Sequence, residues 1–301
     1  MGPTACGKSK FAIYLRSHLP IELISVDSAL IYRDMNIGTS KPSFSDLSNH
    51  PHHLLNIKDP SENYSVAEFQ RDALKIIINI IKSGKIPCLV GGTMFYYKAL
   101  LNGLSILPES NVNIRKYILQ ENYNKNCLHD KLKIIDPISA IRIHPNDIQR
   151  VLRALEVFFI SGKTLTELTQ NKSNVFPYNV LQFAMMPPNK KWLYNKIKIR
   201  LDHMLSSGFQ KEVEKLYYRG DLNVELQSIR CIGYRQMWEY LEYKTSFQEM
   251  LYKIIHATKK LAKHQFTWLK KWKDIYILDN QDFNLSVKII LDILKKINYI
   301  L

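Results

Sequence analysis

Between residues 65 and 84 the apolar positions fall into a helical rhythm. Val66, Phe69, Ala73, Ile76, Ile77, Ile80 and Ile81 recur at three- and four-residue spacing behind the capping box Ser65-Val66-Ala67-Glu68, and Gly84 closes the run. Around this helix the pattern alternates. Lys8 to Leu19 predicts a helix, and Glu22 to Val26 predicts a short buried strand that ends at Asp27. Pro87 to Val90 predicts the next strand, which runs through Gly91-Gly92-Thr93 into a helix from Met94 to Gly103. Strand, loop and helix in this order point to an α/β fold with a parallel sheet.

From about Pro108 the strand-like runs stop and return only near Val180 to Met185, so a helical domain inserted over 108–185 is expected, with 1–107 and 186–301 forming the core. Inside the insertion, Asn146 and Asp147 begin a helix that sets Gln149 and Arg153 one turn apart on one face with Arg150 beside them, and Thr164 to Glu167 caps another helix. The C-terminal part reads as mainly helical: Lys190 to Ser207, Phe209 to Arg219, and Ser246 to Trp272, with a last strand at Ile275 to Leu278.

Charge widens the picture. The 301 residues carry 42 Lys and Arg against 27 Asp and Glu, a formal charge of +15, which favours a polyanionic partner such as nucleic acid; a Lys-, Asn- and Ile-rich composition would raise the charge without any partner. Cys6, Cys88, Cys127 and Cys231 are far apart and form no C-x-x-C pair, which argues against a disulfide framework and a thiolate zinc site. No apolar run reaches the eighteen or so residues of a membrane span, and no signal peptide precedes the first motif, so a soluble cytoplasmic protein with no membrane partner is expected. A monomer is the default.

Candidate chemistry begins at the first residues. Gly2-Pro3-Thr4-Ala5-Cys6-Gly7-Lys8-Ser9 is a complete phosphate-binding loop, in which glycines turn backbone N–H groups toward a polyphosphate, Lys8 supplies a point charge and the Ser9 hydroxyl can ligate Mg²⁺. With the strand and helix order, this predicts a P-loop NTPase-like core. Asp27 stands at a strand's carboxyl end, where parallel sheets bind ligands, although a surface-turn aspartate has the same local signature. Ser228-Ile229-Arg230-Cys231-Ile232-Gly233-Tyr234-Arg235 offers guanidinium groups for phosphates and a ring for stacking on a base, or equally a helix end with solvated arginines. His50-Pro51-His52-His53 has no carboxylate or Cys to complete a metal set. Lys259, Lys260, Lys263, His264, Lys270, Lys271 and Lys273, with Trp268, form either a nucleic-acid surface or a solvated helix face.

These segments come in a recognisable order. The phosphate loop, Ser25-Val26-Asp27-Ser28-Ala29-Leu30-Ile31-Tyr32-Arg33, Gly38-Thr39-Ser40-Lys41-Pro42, Pro51-His52-His53-Leu54, Gly91-Gly92-Thr93, Gln149-Arg150-Val151-Leu152-Arg153-Ala154-Leu155-Glu156 and Ile229 to Arg235 together resemble the bacterial tRNA dimethylallyltransferases, also called tRNA isopentenyltransferases, over essentially the whole chain. The resemblance implies transfer of a dimethylallyl group from dimethylallyl diphosphate to N6 of adenosine 37, beside the anticodon, in tRNAs reading codons that begin with U. It makes Asp27 the base, with Thr93 and Arg230 completing the catalytic set, and assigns Gly2 to Ser9 to the diphosphate, with Mg²⁺ as cofactor at Ser9. It assigns Asp27, Ser28, Ala29, Leu30, Thr93, Arg115, Gln149, Arg150, Val151, Leu152, Arg153, Arg230, Cys231, Ile232, Gly233, Tyr234 and Arg235 to contact with the tRNA anticodon stem-loop.

Two departures stand out. The family places an apolar strand ahead of the phosphate loop, and burial of five such side chains is worth on the order of 10 kcal/mol, so either the start lies upstream or the fold is destabilised. Cys6 replaces a usual Ser at a position that contributes mainly backbone. No C-terminal zinc module of the eukaryotic type is present in these residues. The competing readings are a small-molecule phosphotransferase, an isopentenyltransferase acting on free adenine nucleotide, or a tRNA-binding relic without catalysis.

Overall fold

The computed structural model describes residues 1–120, 125–170 and 176–296. Gly7, at a left-handed φ of 89°, turns the chain into α1 (Lys8–Arg16), whose buried residues are Phe11, Ala12 and Leu15. The expected helix to Leu19 stops at Arg16 and continues only as turns through Leu19, with Pro20 next in the chain. β1 (Ile21–Val26) follows, with Leu23, Ile24 and Val26 wholly buried. After α2 (Phe44–Asn49), the two-residue β2 (His52–His53) pairs in parallel with Leu23 and Ile24. α3 (Val66–Lys82) buries Phe69, Ala73, Ile77 and Ile80, four positions of the predicted stripe, while Val66 and Ile76 are half-buried and Ile81 lies exposed at the stripe's edge. β3 (Ile86–Gly91) lies parallel to β1 from Ile21 and Ile86 up to Val26 and Gly91, giving the sheet order β2-β1-β3, and α4 (Met94–Asn102) leaves its end.

The next helices are α5 (Val112–Gln120), α6 (Lys125–Ile135), α7 (Pro137–Arg142), α8 (Ile148–Ser161) and α9 (Leu165–Thr169). They share a core of their own, in which Ile118, Leu132, Val151 and Leu155 are wholly buried. The chain then forms β4 (Gln182–Met186), α10 (Lys190–Ser206), α11 (Phe209–Tyr217), α12 (Tyr234–Leu241), α13 (Phe247–Lys270), β5 (Ile275–Asp279) and α14 (Phe283–Lys296). β4 and β5 make a second, parallel sheet. The Met1 ammonium donates to the Phe183 carbonyl at 2.7 Å, and the Met185 N–H donates to the Met1 carbonyl at 2.9 Å, the bond pattern of a parallel rung.

By contacts the chain divides into a core unit, Met1–Lys98 with the segment from Tyr178 onward, and a helical unit, Ala99–Pro177. The expected boundary at 185 falls too late, because Gln182–Met186 pairs along its whole length with β5 and so belongs to the core. No helix among the described residues is long and apolar enough to cross a membrane.

Candidate active site

The glycine-rich loop is a tight, backbone-lined turn. Ala5 and Gly7 both adopt left-handed φ, at 62° and 89°. A Cβ on Gly2 would stand 2.6 Å from the Met185 carbonyl, so only glycine fits there. Lys8 folds back over the loop, its Nζ donating to the Pro3 carbonyl at 2.7 Å, and Ser9 sits exposed in the first turn of α1. A helix N-terminus with a lysine ammonium beside it is an arrangement that suits an anion.

Asp27 and Thr93 meet because β1 and β3 end in register. Thr93 donates its N–H to the Val26 carbonyl at 3.2 Å, and its Oγ1 accepts from the Ser28 N–H at 3.1 Å. Asp27 Oδ1 accepts from the Ala29 N–H at 2.9 Å, which fixes the carboxylate at the strand's end. Gly91 permits this closeness, since a Cβ there would lie 2.0 Å from the Val26 carbonyl oxygen. The Asp27 charge is felt by Arg200, Tyr96, Tyr97 and Cys231. Burial, aided by that charge, pushes the Cys231 thiol up to about 12, so it stays protonated at neutral pH.

Two residues that sequence reasoning did not single out complete the neighbourhood. Gln265, buried on α13, accepts from the Thr4 N–H at 2.7 Å and donates to the Gly92 carbonyl at 2.9 Å, clamping the phosphate loop to the Gly91-Gly92-Thr93 turn. Arg200 on α10 donates to Thr4 Oγ1 at 3.2 Å and to the Thr39 carbonyl at 3.0 Å. Burial lowers its pKa while Asp27 opposes the shift, and a guanidinium remains cationic throughout. Its partners are neutral oxygens. The available signal was its place beside the buried stripe Leu193, Ile197, Leu201 and Met204, where an arginine has no packing reason to be.

The 228–235 segment is split between surface and core. Arg230 and Arg235 are exposed, and Arg235 also pairs with Glu239 at 3.3 Å. Ile229 is wholly buried, Cys231 and Ile232 are half-buried, and Gly233 turns with φ 95°. Tyr234, expected to stack on a base, is a core residue: it is fully buried, its ring meets Phe209 edge-on at 5.3 Å, and its hydroxyl donates to Glu212 Oε1 at 2.6 Å. Around Asp27, Ser28 is exposed and Ala29 and Leu30 are half-buried.

In the helical unit, Gln149 and Arg150 are exposed, Leu152 is half-buried, and Val151 is wholly buried, which removes it from any surface. Arg115 and Arg153 converge on Glu156, whose side chain is 0% exposed. Arg115 Nε and Nη2 donate to it at 2.9 and 3.0 Å, Arg153 Nη1 at 2.8 Å, and the Asn111 N–H at 2.7 Å. Burial pushes this carboxyl upward, but the hydrogen bonds from Arg115 and Arg153 outweigh it and hold it below the usual carboxylate range.

His52 Nδ1 lies 2.7 Å from the His50 carbonyl, and His53 Nε2 lies 2.8 Å from Glu22. Among the described residues no group of three or more His, Cys, Asp or Glu can hold a metal. The late basic run lies on and just after α13, where Lys260, Lys263, His264, Lys270 and Lys271 are exposed and Lys259 covers the Tyr194 ring at 4.8 Å.

Fold and site together define an α/β protein with a parallel sheet in which a glycine-rich anion loop, a strand-end carboxylate and an arginine are drawn together. The model of the IPP transferase family matches residues 30–272, and the chain belongs to that family. It is 66% identical over 98% of its length, and 94% of the relative's, to a tRNA dimethylallyltransferase of Buchnera aphidicola from Acyrthosiphon pisum. It is 58% identical to the tRNA dimethylallyltransferase of Buchnera aphidicola from Baizongia pistaciae, over 96% of this chain and 91% of that one. Among solved structures, the tRNA isopentenylpyrophosphate transferase of Bacillus halodurans is similar with TM-score 0.71 and 34% identity, covering 98% of this chain and 94% of that one. A eukaryotic dimethylallyltransferase acting on tRNA has TM-score 0.84 and 27% identity, covering 98% and 77%.

Proposed function

We propose that this chain is a tRNA dimethylallyltransferase that moves the dimethylallyl group of dimethylallyl diphosphate onto N6 of adenosine 37 in tRNAs reading codons that begin with U. The observation that carries the mechanism is a chain of bonds in a P-loop-like core: Arg200 is held at Thr4 of the phosphate loop, Gln265 clamps that loop to the Gly91-Gly92-Thr93 turn, and Thr93 is bonded to the residues on both sides of Asp27. Backbone amides of the loop, Lys8 and Arg200 take the diphosphate, and they stabilise the charge that develops on the ester oxygen of its α-phosphate as the carbon–oxygen bond breaks and diphosphate leaves. The exocyclic N6 forms the new carbon–nitrogen bond, and its proton passes to the Asp27 carboxylate. Thr93, latched to Ser28, holds the rim of that carboxylate site.

A hydroxyl beside a phosphate loop is the donor set that Mg²⁺ uses when substrate phosphates supply most of its ligands, so the exposed Ser9 fits the ion. Bound there, Mg²⁺ would neutralise diphosphate charge. Each unit by itself presents exposed cations suited to tRNA phosphates, Arg230 and Arg235 in the core unit and Arg150 in the helical unit, and the enzyme acts as a monomer in the cytoplasm. The test is transfer of labelled dimethylallyl from its diphosphate to unmodified tRNA, with AMP and ATP as competing acceptors. Label in tRNA alone supports the reading. Label in nucleotide moves the assignment to a free-nucleotide transferase, and tRNA binding without transfer makes the chain a relic.

A further inference from the structure

Glu212 lies outside every motif discussed above, yet it gathers more hydrogen bonds than any surface carboxylate needs. It stands in the first turn of α11. Its Oε2 accepts from the Asn36 and Ile37 N–H groups at 2.9 and 2.8 Å, and its Oε1 accepts from the Gly38 N–H at 3.1 Å and the Tyr234 hydroxyl at 2.6 Å. Successive amides pointing at one spot form an anion nest, and here the anion is a side chain of the protein itself.

The nest is held from its other sides as well. A Cβ on Gly38 would lie 2.3 Å from the Phe209 ring and 2.6 Å from the Tyr234 ring, so the 36–38 backbone rests directly on this aromatic pair. Lys41 Nζ donates to the Tyr32 carbonyl, to Asn36 Oδ1 and to Asn56 Oδ1 at 2.7, 2.9 and 2.6 Å. The next residue after the nest, Thr39, offers the carbonyl that receives Arg200. The route from Glu212 to the phosphate loop therefore has two links. The carboxylate fixes 36–38, which sets the Thr39 carbonyl, and that carbonyl and Thr4 Oγ1 together aim the guanidinium.

We infer that Glu212 is a positioning residue for diphosphate binding, acting through the 36–39 turn on Arg200. The inference rests on the proposed transferase reaction for its activity readout. A glutamine at 212 keeps the size but supplies one acceptor oxygen instead of two and turns an amide donor toward a donor nest.

The experiment is a double-mutant cycle of Glu212→Gln and Arg200→Gln, read as kcat/KM for dimethylallyl diphosphate at saturating tRNA and, separately, as calorimetric affinity for inorganic diphosphate. Glu212→Gln alone is expected to lower both by about tenfold, and by less than about twofold once Arg200 is already Gln, as coupled residues behave. Full additivity of the two glutamines overturns the inference, as does Glu212→Gln with wild-type diphosphate affinity and a lowered melting midpoint, which marks a purely structural residue. Should Glu212→Gln not fold, Glu212→Asp, which keeps the charge and withdraws the oxygens, takes its place under the same criteria. Absence of transfer by the wild-type chain bears on the reaction alone, because the diphosphate affinities still decide the role of Glu212.

Discussion

Arg200 in the core unit and the pair Arg115 and Arg153 in the helical unit are all arginines drawn inward, but their partners differ in kind. Arg200 donates to a hydroxyl and a carbonyl, and the Asp27 charge acts on its guanidinium. Arg115 and Arg153 share a fully buried carboxylate and spend three donor bonds on it. A guanidinium held by neutral oxygens keeps its charge for a ligand, whereas one paired with a buried carboxylate is part of the scaffold. On the proposed reading this contrast assigns the anion chemistry to the core unit; in the helical unit Arg153 also ties α8 to the Pro108 carbonyl at 2.7 Å.

The comparison breaks first at Asp27. Asp27→Asn is expected to lower single-turnover transfer by about 10²- to 10⁴-fold while tRNA affinity stays within about twofold, because it removes a proton acceptor and no tRNA cation. Unchanged turnover would remove Asp27 from the base role. Arg200→Gln comes next: loss of one donor to a developing anion typically costs about 10²- to 10³-fold, here in kcat/KM for the diphosphate substrate, with the melting midpoint little changed. An equal loss from Arg153→Gln would erase the distinction between the two units.

Glu156→Gln acts on stability. Breaking a buried, doubly paired carboxylate is expected to cost the helical unit about 3–5 kcal/mol, measured by denaturant unfolding with hydrogen exchange to assign it to 99–177. The same carboxyl gives a pH signature. Its folded pKa is held below the ordinary 4.5, so its stabilisation is fully present above 4.5 and is lost as pH falls from there through the folded value. Acid titration of the wild type should show this loss, and Glu156→Gln should flatten it. The smallest effect is expected at Arg150, 75% exposed and 3.4 Å from Asp147. Arg150→Gln should lower the slope of log tRNA affinity against log salt by about one without altering kcat.

Much of the fold was legible along the chain because local signals and tertiary demand agreed. The α3 stripe faces the core as its spacing requires, and Ile275 to Leu278 does return as a strand, beside β4. The positions of the loop, Asp27 and Thr93 at element boundaries were legible for the same reason, each carrying a turn signature. Arg200, Gln265 and Glu212 were not, since their meaning lies in bonds to residues 161 to 261 positions away that no local pattern encodes. Tyr234 misled because aromatic residues beside arginines look alike whether they face a base or, as here, Phe209. β2 was missed because two histidines carry no strand pattern; their pairing with β1 places them.

The most direct test of the whole account is transfer of labelled dimethylallyl from its diphosphate to unmodified tRNA by the wild-type chain and by Arg200→Gln in the same assay. Label on N6 of a tRNA adenosine is expected with the wild type, and a rate reduced at least about 100-fold in the variant at subsaturating diphosphate. Equal transfer by both proteins, or label only in AMP or ATP, would contradict the account.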